Sequence, residues 1–291
     1  MTTASRRLAG ALLLTLVGLA ACSDSSGPSN TPLSPSNADE VGAAMVSTAD
    51  LAAAAVAPGI PAFGGGFAIF SAARVGRSFA PPATGSDCAE VSDLTDTDED
   101  GVPDDATWTF TAANCTQTDI EGNRTVVTGS VVLSDPGLTA GYDLRLNALT
   151  SQYFENGAST PLLQSVLTGD WALRATSEAI TLGQDYAFTL TIQNQSVTLA
   201  NDLAVNFAVA TGNNIAWGSP LPDGTLSIDG AWRVSSSREA YALTLLTSTP
   251  LSYDDECQGI VAGALDAEGS GGTVRVTWNG CGDHTTEFLP D

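Results

Sequence analysis

Between Asp96 and Asp105 the chain reads Asp-Thr-Asp-Glu-Asp-Gly-Val-Pro-Asp-Asp, with carboxylates at alternate positions 96, 98 and 100. Oxygen donors at this spacing turn inward from a tight loop. A glycine at the sixth position, Gly101, permits the bend that gathers them around a single hard cation. Calcium suits such a set, because it accepts about 6–8 oxygen ligands in a flexible geometry. Nine carboxylates fall between Asp87 and Asp105, and without a cation their mutual repulsion is expected to hold the loop open.

On these residues the loop resembles a thrombospondin type 3 calcium repeat, a pattern shared with dockerin-like loops. The resemblance implies side-chain ligands from Asp96, Asp98 and Asp100 and a backbone carbonyl from Val102. Asp104 or Asp105 would complete the set, directly or through water. Two departures matter. An EF-hand would carry a bidentate glutamate at the twelfth position, where this chain has Thr107, and the repeat is single whereas thrombospondin repeats come in tandem. The affinity expected of an extracellular module is about 0.1–1 mM.

A second constellation lies at the start. Arg6 and Arg7 precede an apolar run from Leu8 to Leu19, too short to span a bilayer, and small residues lead to Cys22. Leu19-Ala20-Ala21-Cys22 resembles the lipobox of bacterial lipoproteins. The resemblance implies that residues 1–21 are a signal peptide and that Cys22 becomes an acylated N-terminus anchored in a membrane. Ser23 in place of an aspartate is similar to the pattern sorted to the outer membrane. Each buried methylene contributes about 0.8 kcal/mol, so several acyl chains would hold the protein at a surface nearly permanently.

Composition narrows the partners. The net charge is −23, all ten basic residues are arginine, and loss of Arg6 and Arg7 with the signal leaves −25. A surface this acidic repels phosphate backbones and anionic headgroups, so nucleic acid is excluded as a partner and cations are favoured. Apart from Cys22, four cysteines remain: Cys88, Cys115, Cys257 and Cys281. An even number in an oxidising compartment reads as two disulfides. Three connectivities are possible, and nearness in sequence favours Cys88 with Cys115 and Cys257 with Cys281. A zinc site is disfavoured by the lack of any CxxC spacing and the single histidine, His284.

The elements that must position these groups are mostly strands. Residues 22–37, rich in Ser, Pro and Asn, read as a flexible tether. Ser36 or Asn37 can cap a helix over about 38–57, with Val41, Met45, Thr48, Leu51 and Ala55 on one side, and a Gly/Pro-rich connection runs on to residue 85. From 86 to 291 the hydrophobic period is two, as in Tyr142, Leu144 and Leu146 or Leu203, Val205, Phe207 and Val209. This predicts an all-β domain of about ten antiparallel strands, a meander forming a barrel, a curved sheet or a sandwich. Gly129, Gly169, Gly230 and Gly263 are expected to open first strands of successive hairpins. Tyr142, Tyr186, Tyr241 and Thr273 are expected near the starts of the returning ones.

Catalytic patterns are poor. His284 with Asp283 lacks a GxSxG elbow and is placed in a terminal loop, and Asp254, Asp255 and Glu256 read as a solvated turn or a second weak cation site. Four of the five tryptophans, Trp108, Trp171, Trp217, Trp232 and Trp278, fall in phase with core positions, which makes packing their default role. The sequence thus points to a non-enzymatic, calcium-stabilised envelope lipoprotein with a binding or structural role, partnered by the membrane and by an apolar ligand or envelope protein. The alternatives are a carrier that holds an apolar ligand such as lipid in a curved sheet and, further off, a carbohydrate-active enzyme.

Overall fold

A computed structural model describes residues 30–56, 88–100, 102–137, 140–216, 219–236 and 239–291. The signal, Cys22, the connection expected over 59–85, Gly101 and Trp217 lie outside these residues. Where alternation of apolar and polar residues dominates, the described residues form thirteen strands in a single sheet. In chain order they are β1 (Glu90–Val91), β2 (Asp105–Phe110), β3 (Thr116–Thr118), β4 (Arg124–Ser134), β5 (Gly141–Phe154), β6 (Leu163–Ala175) and β7 (Ala179–Ile192). They continue with β8 (Gln195–Val209), β9 (Gly224–Ser236), β10 (Ala240–Asp254), β11 (Gly259–Gly269), β12 (Gly272–Gly280) and β13 (Asp283–Pro290). Every strand from β4 onward pairs antiparallel with the next. β2 skips β3 to pair with β4, and β3 pairs with β4 beside it. The meander is therefore an open sheet and not a closed barrel.

One face of this sheet builds the core. Leu182, Leu203, Phe207, Ile228, Leu245 and Val276, from five strands, belong to one contiguous buried cluster. The described residues hold no second sheet to cover this face, so the sheet must curl around its apolar side to bury it. The outer face carries the charges. Arg145 Nε lies 2.6 Å from Asp170, directly opposite on β6. Arg174 pairs with Asp143 at 2.7 Å, and Arg275 makes a two-pronged pair with Asp266. Such cross-strand pairs contribute about 0.2–1 kcal/mol each.

The four glycines expected to begin strands lie inside them instead. Gly169 and Gly230 sit at the midpoints of β6 and β9 with φ of 153° and 141°. A Cβ on Gly169 would meet the Asp185 carbonyl oxygen at 2.3 Å and Tyr186 Cβ at 2.5 Å. In sequence an isolated glycine reads as punctuation, but here it lets a long strand bend without breaking its pairing. Tyr186 accordingly lies mid-strand opposite Gly169, whereas Tyr142, Tyr241 and Thr273 do stand near strand starts.

The helix α1 (Ala38–Ala55) forms as the sequence indicates and packs on β9, β11, β12 and β13. Its buried side is Val41, Gly42, Met45, Ala49, Ala52 and Ala53, a stripe rotated from the expected one. Small residues decide this: a Cβ on Gly42 would meet Thr286 of β13 at 2.6 Å, so the helix can lie close to the sheet only on its small-residue face. Asn37 stands at the N-cap but its side chain makes no cap hydrogen bond. It turns back to accept from the Ser34 amide at 2.9 Å. The chain before it, expected to be tether, is docked from Asn30, which bridges to Ala240, and Leu33 is buried in the core. No described helix is long and apolar enough to cross a membrane, which says nothing of strands.

Cys88 is bonded to Cys115 and Cys257 to Cys281, with Cα separations of 5.0 and 5.9 Å. The second bond ties the turn after β10 to the turn after β12. Replacing Cys257 and Cys281 together with serine is expected to cost about 2–5 kcal/mol, read as a lower urea midpoint than that of the oxidised protein.

Candidate metal centre

The acidic loop is the connection between β1 and β2. Those strands pair through Glu90 with Thr109 and Val91 with Trp108. The ladder continues past them, with the Ser92 amide donating to the Thr107 carbonyl at 2.9 Å and the Asp104 amide to the Thr95 carbonyl at 2.8 Å. Residues 96–103 are thus the tip of a hairpin whose base is held by the Cys88–Cys115 bond. Val102, fully buried in the core cluster, pins the tip to the domain.

Within the tip, carboxylate oxygens of Asp96, Asp98 and Asp100 lie within 4.8 Å of one another. Local hydrogen bonds set their orientation. Asp98 Oδ1 accepts from the Asp100 amide at 3.3 Å, and Asp100 Oδ1 accepts from the Val102 amide at 2.7 Å. Glu99, between them, has φ of 58°, so a left-handed residue turns the chain between the second and third acids. The donor set is all oxygen and anionic, which fits a hard divalent cation and not a soft one. Burial pushes the Asp100 carboxyl above its usual range, and the neighbouring charges of Asp98, Asp135 and Asp96 push it the same way, against the pull of the Val102 amide. A bound cation would relieve the strain these groups place on the ionised form.

Asp104 and Asp105 of the expected ligand set stand outside this group of three. Asp104 Oδ1 accepts from the Thr97 amide at 3.0 Å and its Oδ2 from the Thr97 hydroxyl at 2.5 Å, and these bonds hold its carboxyl below the usual range. Its carboxylate laces the two sides of the hairpin together and lies outside the three-acid group. Asp105 is the exposed first residue of β2. Asp135 is a group that sequence reasoning missed. It follows β4, its amide bonds to the Asp104 carbonyl at 3.3 Å, and its charge is felt by Asp100. It lies thirty residues beyond the loop, and only the β2–β4 pairing brings it there.

A second acid group joins Asp254 and Asp255 to Asp223, again with oxygens within 4.8 Å. The Asp255 carboxyl is pushed up first by the charge of Asp223, whose Oδ1 accepts from the Asp255 amide at 2.9 Å. His284 is exposed on β13 and not in a loop. It faces Asp50 of α1, whose carboxyl is raised by burial and lowered by the histidine. Trp171, Trp232 and Trp278 are buried and Trp108 is half-buried against the core. Compared with known families, curated proteins and solved structures, the chain has no significant match.

Proposed function

We propose that this is an exported β domain, held at the cell envelope by acyl chains on Cys22, whose first hairpin is closed by calcium and whose role is binding or structural without catalysis. The observation that carries the reading is the convergence of Asp96, Asp98 and Asp100 at the tip of a hairpin stapled by a disulfide. Two disulfides fit an oxidising compartment, and millimolar calcium outside the cytoplasm suits the weak affinity expected of such a loop. The resemblance at Leu19-Ala20-Ala21-Cys22 supports the anchor, and the absence of lysine with an acidic surface supports cations over polyanions as partners.

Calorimetric titration of calcium into the chelator-treated protein is expected to give a single site with a Kd of about 0.1–1 mM. Asp98→Asn should weaken it at least several-fold, and Asp135→Asn should weaken it less, because that charge acts from the rim. Absence of any saturable heat would remove the cation from the account. The anchor has its own test: labelled palmitate should enter the expressed protein, and Cys22→Ser should abolish both the label and membrane fractionation. A serine variant that still fractionates with membranes would refute it.

A further inference from the structure

The core face at the middle of the sheet is interrupted by a row of polar-tipped side chains. Tyr186 of β7 lies opposite Asn201 of β8, and Asn201 lies opposite Trp232 of β9. Asn201 and Trp232 are 3% and 5% exposed, so their polar atoms are removed from water. Asn201 Nδ2 donates to the Tyr186 hydroxyl at 2.7 Å, which satisfies one end of the amide. Asn201 Oδ1 and Trp232 Nε1 have no hydrogen-bond partner among the described residues. Folded proteins leave few buried polar groups in that condition, and here an acceptor and a donor stand on directly paired residues of adjacent strands, complementary in chemistry.

The two groups together specify what satisfies them. The bridging atom must accept from the indole N–H and donate to the amide oxygen. A hydroxyl oxygen does both, a carbonyl cannot donate, and an ammonium cannot accept. The surroundings are apolar: Trp171 stacks on Tyr186 with centroids 5.2 Å apart, and Phe188 and Leu199, directly opposite each other in the next row, are half-buried against the core. We propose that this row binds the hydroxyl of a neutral long-chain alcohol, its oxygen between Asn201 Oδ1 and Trp232 Nε1 and its chain along Phe188 and Leu199. The proposal gives a ligand class to the binding role stated above and is independent of the cation.

Water offers the same hydroxyl chemistry, and the test separates the two sources. Delipidated full-chain protein is titrated with 1-dodecanol, 2-dodecanone and dodecane while tryptophan emission and the melting midpoint are followed. Dodecanol should bind saturably and raise the midpoint; the ketone, which can accept but not donate, should bind about tenfold more weakly for the loss of one neutral hydrogen bond, and the alkane more weakly still for the loss of both. Asn201→Leu and Trp232→Phe should each bring dodecanol towards the level of dodecane. If either variant does not fold, the comparison of the three probes on the unaltered protein still decides. No saturable dodecanol binding would assign the pair to a water and overturn the proposal, as would equal binding of dodecane or of the ketone. Calcium calorimetry on the same sample reads the metal centre separately, so failure of one reading leaves the other visible.

Discussion

Gly230→Val is expected to destabilise the domain by about 2–6 kcal/mol, enough to leave much of it unfolded at 37 °C. At φ of 141° a β-branched residue is strained in itself, and a Cβ at this position would stand 2.1 Å from the Asp202 carbonyl oxygen and 3.0 Å from Leu203 Cα. Those atoms belong to the neighbouring strand and cannot move without parting β8 from β9. Strain of about 1–3 kcal/mol and overpacking of similar size therefore combine. Urea denaturation measures the loss. A cost under about 1 kcal/mol would mean that the strand does not bend at this residue.

Phe207→Ala is the second large effect, at about 3–5 kcal/mol in the same measurement. The ring is 1% exposed and meets Tyr253 of β10 edge-on, with centroids 6.2 Å apart and planes at 88°. It also fills the space that a Cβ on Gly224 would occupy, 2.3 Å from the ring. Truncation thus empties a volume bounded by backbone on one side, which is slow to collapse. Phe207→Leu should recover more than half of the loss. Full stability in the alanine variant would contradict the packing described for β8, β9 and β10.

Much of the fold is legible from the chain because a period of two survives any detail of pairing. Leu203, Val205 and Phe207 face inward as their alternation requires, and the antiparallel meander follows from hairpins in succession. The bends escaped because Gly129, Gly169, Gly230 and Gly263 carry the same letter as a turn. Only the register shows that each has strand on both sides. The helix face was misjudged because alanine and glycine carry little hydrophobic signal, yet closeness to Thr286 selects them. β1 is two residues long and sits among acids, so no pattern announces it. At the metal centre, Asp96, Asp98 and Asp100 were legible as a local run. Asp135 was not, being brought in by strand pairing, and neither were the bonds from Thr97 to both oxygens of Asp104, which no pattern in the sequence announces.

The claim on which the proposed role turns is that a divalent cation closes the β1–β2 hairpin onto the domain. Thermal unfolding of the full-length oxidised protein in chelator and then in about 10 mM calcium tests it most directly. With a Kd of about 0.1–1 mM, linkage contributes about 1.4–2.7 kcal/mol. For a domain of this size that is a rise in Tm of about 3–10 °C, which Asp96→Asn or Asp98→Asn should markedly reduce. An identical midpoint in chelator and in calcium would contradict the account.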